Sequence, residues 1–422
     1  MLRRAAQAVL DEVDALASLL AERAGVPRSE ALLAELLPSV GGLHGLAGDG
    51  PGALADSRFG RNPLMRAGRR SVLFHAPVGV VGIRGGTGSP WAEPTLEAAA
   101  ALLAGNGVVL ALADLAVGER LAGAFGRAGI PEGLIQTVAP DAGLDGCARV
   151  SDLEPPTPKA TMVVLEGAPL DRTVNGALWA AFARSGRGPA AVGRIVVVPS
   201  AADGLLRRLE AGARRLRVGD PRAPETEIGP LASETALEQV EALVEEAVAA
   251  GATLVCGGRV AGLGGPYCAP VVLRGVAAGA RLLHEPVPGP VLAVVEVASE
   301  DEALALARDE RAVSVWSGDR AHGERAARSL RAQVAWVNEH GSAASAAPVR
   351  LARYAVPRQL ASQPTTLRSA RWLPHDPLLV RASTATARIL HGRESERLTS
   401  LRTGVLPIAR LAVRLYREGR RI

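Results

Sequence analysis

The side chains able to do chemistry in this chain are few and scattered. Its three cysteines, Cys147, Cys256 and Cys268, are widely spaced, which fits neither a disulfide framework nor a zinc site. Cys256 closes an apolar run and Cys268 sits beside another, so both read as small core residues. Cys147 has only Arg149 nearby to favour a thiolate. The seven histidines show no ligand spacing, and no metal is expected. Lys159 is the sole lysine. The densest chemical signal is the segment Phe182 to Arg194, in which Arg184 and Arg187 stand among glycines. Two guanidinium groups so placed can hold an anion such as a carboxylate or phosphate. The plainer alternative is a solvated or salt-bridged loop.

The elements that must position these groups alternate between helices and apolar strands. Ala6, Val9, Leu10, Val13, Leu16, Leu19 and Leu20 recur at helical spacing up to Gly25-Val26-Pro27, and a second helix follows to about Leu37. Asp49-Gly50-Pro51-Gly52 and Arg61-Asn62-Pro63 punctuate a variable stretch. Extended chain from Arg70 to Val81, a helix over Thr95 to Leu103 and a buried strand at Val108 to Leu110 make the βαβ opening of a Rossmann-like parallel sheet. Helix Leu115 to Arg127 and strand Leu134 to Val138 extend it. A second alternation runs from strand Met162 to Leu165, through helix Asp171 to Ala181 and strand Arg194 to Pro199, to Trp336-Val337-Asn338.

Several motifs in this order resemble the aldehyde dehydrogenase superfamily: Pro77-Val78-Gly79-Val80-Val81-Gly82, Ala128-Gly129-Ile130-Pro131-Glu132-Gly133, Glu225 to Leu231, Glu285 to Leu292, and the loop Phe182 to Arg194. The resemblance covers roughly Leu2 to Asn338 and implies an α/β, aldehyde dehydrogenase-like fold with a truncated Rossmann-like domain and a catalytic-type α/β domain. In that family a cysteine attacks the aldehyde, an asparagine helps to hold the oxyanion and a glutamate acts as base. Aligned without gaps, Pro189 takes the cysteine's position and Gly88 the asparagine's. Proline has no nucleophilic atom and no N–H. The base motif falls on Pro155 to Lys159, leaving Glu154 one position away as a less favourable candidate, because the neighbouring prolines stiffen a different path. Arg184 and Arg187 replace an asparagine and a glutamine beside the family's substrate tunnel. On the cofactor side Ala111, Pro286 and Pro288 replace contact residues, and the family's phosphate-facing helix has no counterpart in the short bridge Ala139 to Pro158. Asp114 is the one conservative relic. The expectation is a degenerate, non-catalytic member with no cofactor, or NAD(P) if any.

The domain reading is residues 1–158 for the N-terminal helices and truncated dinucleotide-binding-like domain, 159–340 for the catalytic-type domain, 341–372 for a possible oligomerisation segment and 373–422 for a basic helical extension. Leu351 to Pro357 or Pro364 to Leu367 can supply a pairing strand. In the extension, Arg410, Arg414, Arg417 and Arg421 share a face opposite Ile408, Leu411, Ala412 and Leu415. Such a helix can contact an anionic membrane through 406–421 or pack on its own domain. With 48% hydrophobic, 22% charged and 3% aromatic residues, the chain reads as globular. Its arginines are not interleaved with aromatics, so nucleic acid is not an expected partner. The N-terminus reads as no signal peptide and a cytoplasmic protein is expected. Three functions stand open: an inactive subunit of a homo-oligomer or of a hetero-oligomer with an active aldehyde dehydrogenase, an NAD(P)-dependent oxidoreductase with a rearranged site, and a membrane-peripheral scaffold.

Overall fold

The structure is a computed structural model and describes residues 1–58, 70–153, 159–188, 190–341, 347–362 and 377–419. Pro189 and Glu154, which the sequence singles out, lie outside the described residues, as does Arg421. The chain forms two compact units, residues 1–53 with 77–354 and residues 54–76 with 355–422.

The first unit opens with α1 (Leu2–Asp11) and α2 (Val13–Ala24). Gly25, at φ 65° in the left-handed region that glycine tolerates, stops α2 where the sequence places a break. The next helix, α3 (Arg28–Leu54), runs 27 residues, past the glycines and proline that read as a variable stretch. The reason is close packing. A Cβ on Gly42 would come within 2.4 Å of Leu96, and one on Gly50 within 2.4 Å of Leu103, so these glycines let α3 lie directly on its neighbour. By length and composition α3 passes as a bilayer-spanning helix, yet it contains Glu35, fully buried on protein partners.

After β1 (Ser57–Arg58) and β2 (Arg70–Pro77), which belong mainly to the second unit, the chain enters a βα alternation. It comprises β3 (Val80–Gly85), α4 (Ala92–Leu103), β4 (Gly107–Leu112), α5 (Leu115–Arg127), β5 (Ile135–Thr137) and β6 (Arg149–Asp152). The four strands are parallel and lie in the order β5-β4-β3-β6, so the topological switch falls at β3 and β6, where ligands of such sheets sit beyond the carboxyl ends. Asn106, in the turn before β4, bonds to four main-chain groups: its carbonyl accepts from Val78 and Gly79, and its amide donates to Ala101 and Tyr354.

A second alternation follows with β7 (Ala160–Val164), α6 (Leu170–Phe182), β8 (Val192–Val197), α7 (Pro199–Ala213), α8 (Glu234–Ala249), β9 (Thr253–Arg259), β10 (Cys268–Arg274), β11 (Val291–Glu296), α9 (Glu300–Ala307), β12 (Ala312–Trp316), α10 (Arg320–Ser329) and β13 (Val334–Val337). Its seven strands lie in the order β13-β12-β7-β8-β11-β10-β9, with only β9 antiparallel to its neighbour. Every residue of β7 is buried, as a central parallel strand covered on both faces requires. The helix α11 (Ala347–Leu351) is tied to α4 by a buried ionic cluster in which Arg350, Arg353 and the Tyr354 hydroxyl all meet the Glu97 carboxylate, and Arg350 also reaches Glu93 at 3.0 Å.

The second unit is a three-stranded sheet, β1-β2-β14, whose edge strand β14 (Ala355–Ser362) is mostly exposed, together with a helical hairpin, α12 (Pro377–His391) and α13 (Glu394–Gly419). Of the two candidate pairing strands, Leu351 to Pro357 overlaps β14, while Pro364 to Leu367 lies outside the described residues. In the tail, Glu394 to Leu401 and the segment beginning at Leu406 form a single helix, continuous through Pro407.

Gly176 of α6 carries the indole of buried Trp316; an added Cβ would fall 2.5 Å from the ring. Gly176→Ala is therefore expected to lower stability by about 1–3 kcal/mol through overpacking. Gly126→Ala in α5, where nothing lies within 4 Å, should gain up to about 1 kcal/mol from helix propensity. Denaturant melts of the two variants check the opposite signs.

Candidate functional site

The loop that leaves α6 has an unusual backbone. Arg184 (φ 55°) and Ser185 (φ 53°) adopt left-handed conformations that side-chain-bearing residues avoid, and Gly186 (φ 73°) follows them. Such a backbone persists only where its surroundings over-determine it. Here the Arg184 amide donates to the Glu30 carboxylate at 2.8 Å, and the Ser185 hydroxyl donates to the Gly229 carbonyl at 2.9 Å. Gly186 lies so close to Gly289 that a Cβ would sit 2.3 Å from its carbonyl oxygen. Burial pushes the Glu30 carboxyl up to about 7, against the opposing pull of the Arg184 amide and charge.

Arg184 and Arg187, the sequence's candidate anion holders, have different surroundings. The Arg184 guanidinium donates Nη1 to Oε1 of Glu35 at 2.6 Å, and the two side chains are 12% and 0% exposed. The other oxygen of Glu35 accepts from the Ser89 hydroxyl at 2.9 Å and from the main-chain N–H groups of Trp91 and Ala92 at 3.0 and 2.7 Å. These amides open α4, and the next, Glu93 N–H, donates to the Ser89 hydroxyl. Arg184 thus finds its anion inside the chain, on the salt-bridged branch of the sequence reading. Arg187 donates Nε to the Arg184 carbonyl and Nη2 to the Pro230 carbonyl.

Two cavities flank this knot. The first, about 570 Å³, lies beyond the carboxyl ends of β3 and β4 and is lined by Gly85, Gly86, Asp114, Arg23, Arg187 and Arg222, among others. Asp114 caps α5, accepting from the Val117 amide at 3.1 Å, and pairs with Arg23 at 2.9 Å. The second, about 610 Å³, lies between α3, α4, α6 and the chain before β8, with Trp179, Trp336 and His340 in its wall. The His340 ring lies 4.7 Å from the Trp336 ring and gives its Nε2 hydrogen to the Ala190 carbonyl at 2.7 Å. That bond leaves Nδ1 as a bare acceptor, and burial lowers the pKa of the ring. Among the described residues, His340 Nδ1, Trp336 Nε1 and Arg184 Nε are buried without a hydrogen-bond partner, and all three residues line this cavity. Buried polar groups of this kind call for a polar guest, water or ligand.

None of the described residues lining either cavity is a cysteine. Cys256 and Cys268 are buried in β9 and β10, where burial raises both thiols, that of Cys268 to about 11. Cys147 packs its sulfur over Gly82 within β3. Gly88, which the ungapped alignment sets against the family's asparagine, is buried beside Ser89, whose hydroxyl is committed to Glu35. Lys159 is pushed down to about 7 by burial and donates to the Gly289 carbonyl at 2.6 Å.

The same geometry tests whether NAD(P) fits. The cavity at the carboxyl ends of β3 and β4 lies on the other side of β3 from the switch between β3 and β6, and Asp114 stands in it. A helix N-terminus can also hold a phosphate through free N–H groups, but those opening α4 are taken by the Glu35 carboxylate and the Ser89 hydroxyl. The residues at that helix terminus do not fit a pyrophosphate. Sequence reasoning missed Glu35, Ser89 and His340; the visible signal for Glu35 was a lone carboxylate in the apolar run from Ala31 to Leu46.

The sequence pattern described as the aldehyde dehydrogenase family matches residues 1–147 and 157–350. The chain is 31% identical over 386 residues to a succinate-semialdehyde dehydrogenase [NADP(+)] of Deinococcus radiodurans, covering 82% of this chain and 79% of that protein. It is 29% identical over 384 residues to a betaine aldehyde dehydrogenase of Cereibacter sphaeroides, with 82% and 78% covered. Among solved structures, an NADP-dependent enzyme of E. coli superposes with a TM-score of 0.77 at 23% identity, covering 86% of this chain and 84% of that one. PnpE in complex with nicotinamide adenine dinucleotide superposes with a TM-score of 0.78 at 22% identity, covering 87% and 85%.

Removing one member of a buried ion pair strands the other. Glu35→Ala is expected to destabilise the first unit by about 3–5 kcal/mol, and Glu35→Leu with Arg184→Met together by less than the sum of the single changes; a double-mutant melting cycle reads this. Glu30 gives a pH signature. Folded Glu30 holds its proton to about pH 7, whereas the ordinary carboxyl releases it near 4.5. The folded state binds more protons in that window, so stability falls as pH rises through it. Glu30→Gln should remove that slope, which melting curves at closely spaced pH values measure.

Proposed function

The chain belongs to the aldehyde dehydrogenase family, and we propose that it keeps the family scaffold without aldehyde oxidation, acting as a cytoplasmic structural or regulatory subunit of a homo-oligomer or of a hetero-oligomer with an active aldehyde dehydrogenase. The observation that carries this reading is the lack of a cysteine among the described residues lining both cavities, joined to the proline that the sequence puts in the nucleophile's position. Covalent oxidation of an aldehyde requires a thiolate to form the hemithioacetal and N–H donors to hold its oxyanion. A buried thiol raised well above neutrality supplies no thiolate. The subunit role draws support from β14, an eight-residue exposed edge strand whose free main-chain groups can take a strand from another chain.

A second reading is favoured by the relatives themselves, which carry dehydrogenase names, one with NADP(+). In it the crevice at Asp114 still takes NAD(P), and a rearranged site transfers hydride without the usual thiol. The two readings separate in one experiment on the pure full chain, incubated with NAD⁺ or NADP⁺ and a panel that includes succinate semialdehyde and betaine aldehyde. The expected result is no aldehyde-dependent NAD(P)H above background and no shift of melting temperature by either dinucleotide. Saturable formation of NAD(P)H would overturn the inactive reading.

A further inference from the structure

We propose that the helical hairpin α12–α13 docks the protein on an anionic lipid surface through one exposed face. Its first support is where the charge lies. The whole chain has 48 basic and 43 acidic residues. Residues 377–422 contain ten arginines against three glutamates, which leaves the other 376 residues with 38 basic and 40 acidic side chains. The positive charge of the protein is therefore a property of this segment, although arginine is spread along the entire sequence. The segment also lies beyond residue 350, where the family match ends.

The second support is what the hairpin exposes. In α13 the residues turned inward are Ser400, Gly404, Ile408 and Leu411, at helical spacing. Gly404 lets the two helices touch, since a Cβ there would lie 2.6 Å from the Ala385 methyl. About a third of a turn around from that seam runs a second apolar line, Leu398, Leu401 and Val405, which are 68%, 45% and 56% exposed. Leu406 and Val413 are exposed too, on an arc shared with Arg402 and Arg410. The sequence placed the apolar face of this helix at Ile408, Leu411, Ala412 and Leu415; in the hairpin Ile408 and Leu411 are half-buried, and the free face is the one led by Leu398, Leu401 and Val405.

Exposed leucine and valine beside arginine match a surface whose headgroups are negative and whose interior is apolar. A nucleic acid offers phosphates but nothing for the leucines. A second copy of the hairpin offers an apolar face but brings the same positive charge against itself. At 26 residues, α13 reaches about 39 Å and lies along the surface rather than across it, since arginines recur throughout its length. The proposal stands apart from the reading of the cavities.

The test is sedimentation of the full chain with vesicles of phosphatidylcholine alone and of equal parts phosphatidylcholine and phosphatidylglycerol. At least tenfold stronger partitioning to the anionic vesicles is expected, lost at high salt as counter-ions screen the arginines. Leu401→Asp with Val405→Asp should cut that partitioning tenfold while the melting temperature stays put, because both side chains already face solvent. Arg402→Glu with Arg410→Glu should do the same through charge alone. Equal partitioning to both vesicle types, no partitioning, or partitioning that survives the aspartates overturns the proposal. So does a fall in the solution mass of the Leu401→Asp, Val405→Asp variant without any vesicle binding by the parent, which assigns the face to a second copy.

Discussion

A single buried carboxylate organises the first unit. Glu35 is fully enclosed, and an enclosed charge is tolerated only when paired and hydrogen-bonded on every side. It meets that requirement with one guanidinium, one hydroxyl and two main-chain N–H groups, drawn from the loop after α6 and from the chain opening α4. The carboxylate therefore joins α3, the first βα turn of the four-stranded sheet and the loop leading to β8. Moving any one of these strands a charge or an N–H group in low dielectric. The helix N-terminus and Nη1 of the Arg184 guanidinium, each an attractive seat for an anion, share the same internal anion, while Arg184 Nε keeps no partner.

What the sequence made legible follows from the range of the interactions involved. The parallel strands stand out because both faces are buried, so β7, β8 and β12 read as short, mostly apolar runs rich in valine, broken only by Thr161, Arg194 and Ser314. The stop of α2 at Gly25 is legible because left-handed backbone has a local residue preference. The continuation of α3 past Gly50 and Pro51 is not, because what matters there is the space that Leu96 and Leu103 need, a fact about a helix some fifty residues away. Arg184 was recognisable as a cation seeking an anion. Its partner was out of reach, since nothing local to Glu35 says which of the many arginines it will meet. The same holds for the cluster in which Glu97 meets Arg350, Arg353 and Tyr354, all more than two hundred and fifty residues further along the chain.

The hairpin shows a different limit. Helical periodicity gave the existence of its helices but could not say which apolar stripe would be consumed by the partner helix. A helix carrying one stripe at Ser400, Gly404, Ile408 and Leu411 and another at Leu398, Leu401 and Val405 has too much apolar arc for a single antiparallel contact. The small residues Gly404 and Ala385 decide the matter, because the closest approach of two helices is set where the side chains are shortest.

Strain at the loop after α6 bears on what the scaffold has retained. Left-handed residues at Arg184 and Ser185 cost of order 1–3 kcal/mol each, and in an enzyme such strain aims a reacting group. Each strained residue serves a structural bond: the Arg184 amide meets Glu30, its guanidinium meets Glu35, and the Ser185 hydroxyl meets the Gly229 carbonyl. Gly186 packs against the backbone of Gly289, whose carbonyl also takes the Lys159 amine. A loop that links α3, the segment at Gly229 and the segment at Gly289 has a reason to keep its shape independent of any nucleophile. That is why the frame of the motif, Gly186 and Arg194, has a structural reason to persist: Gly186 fits against Gly289, and Arg194 pairs with Glu310.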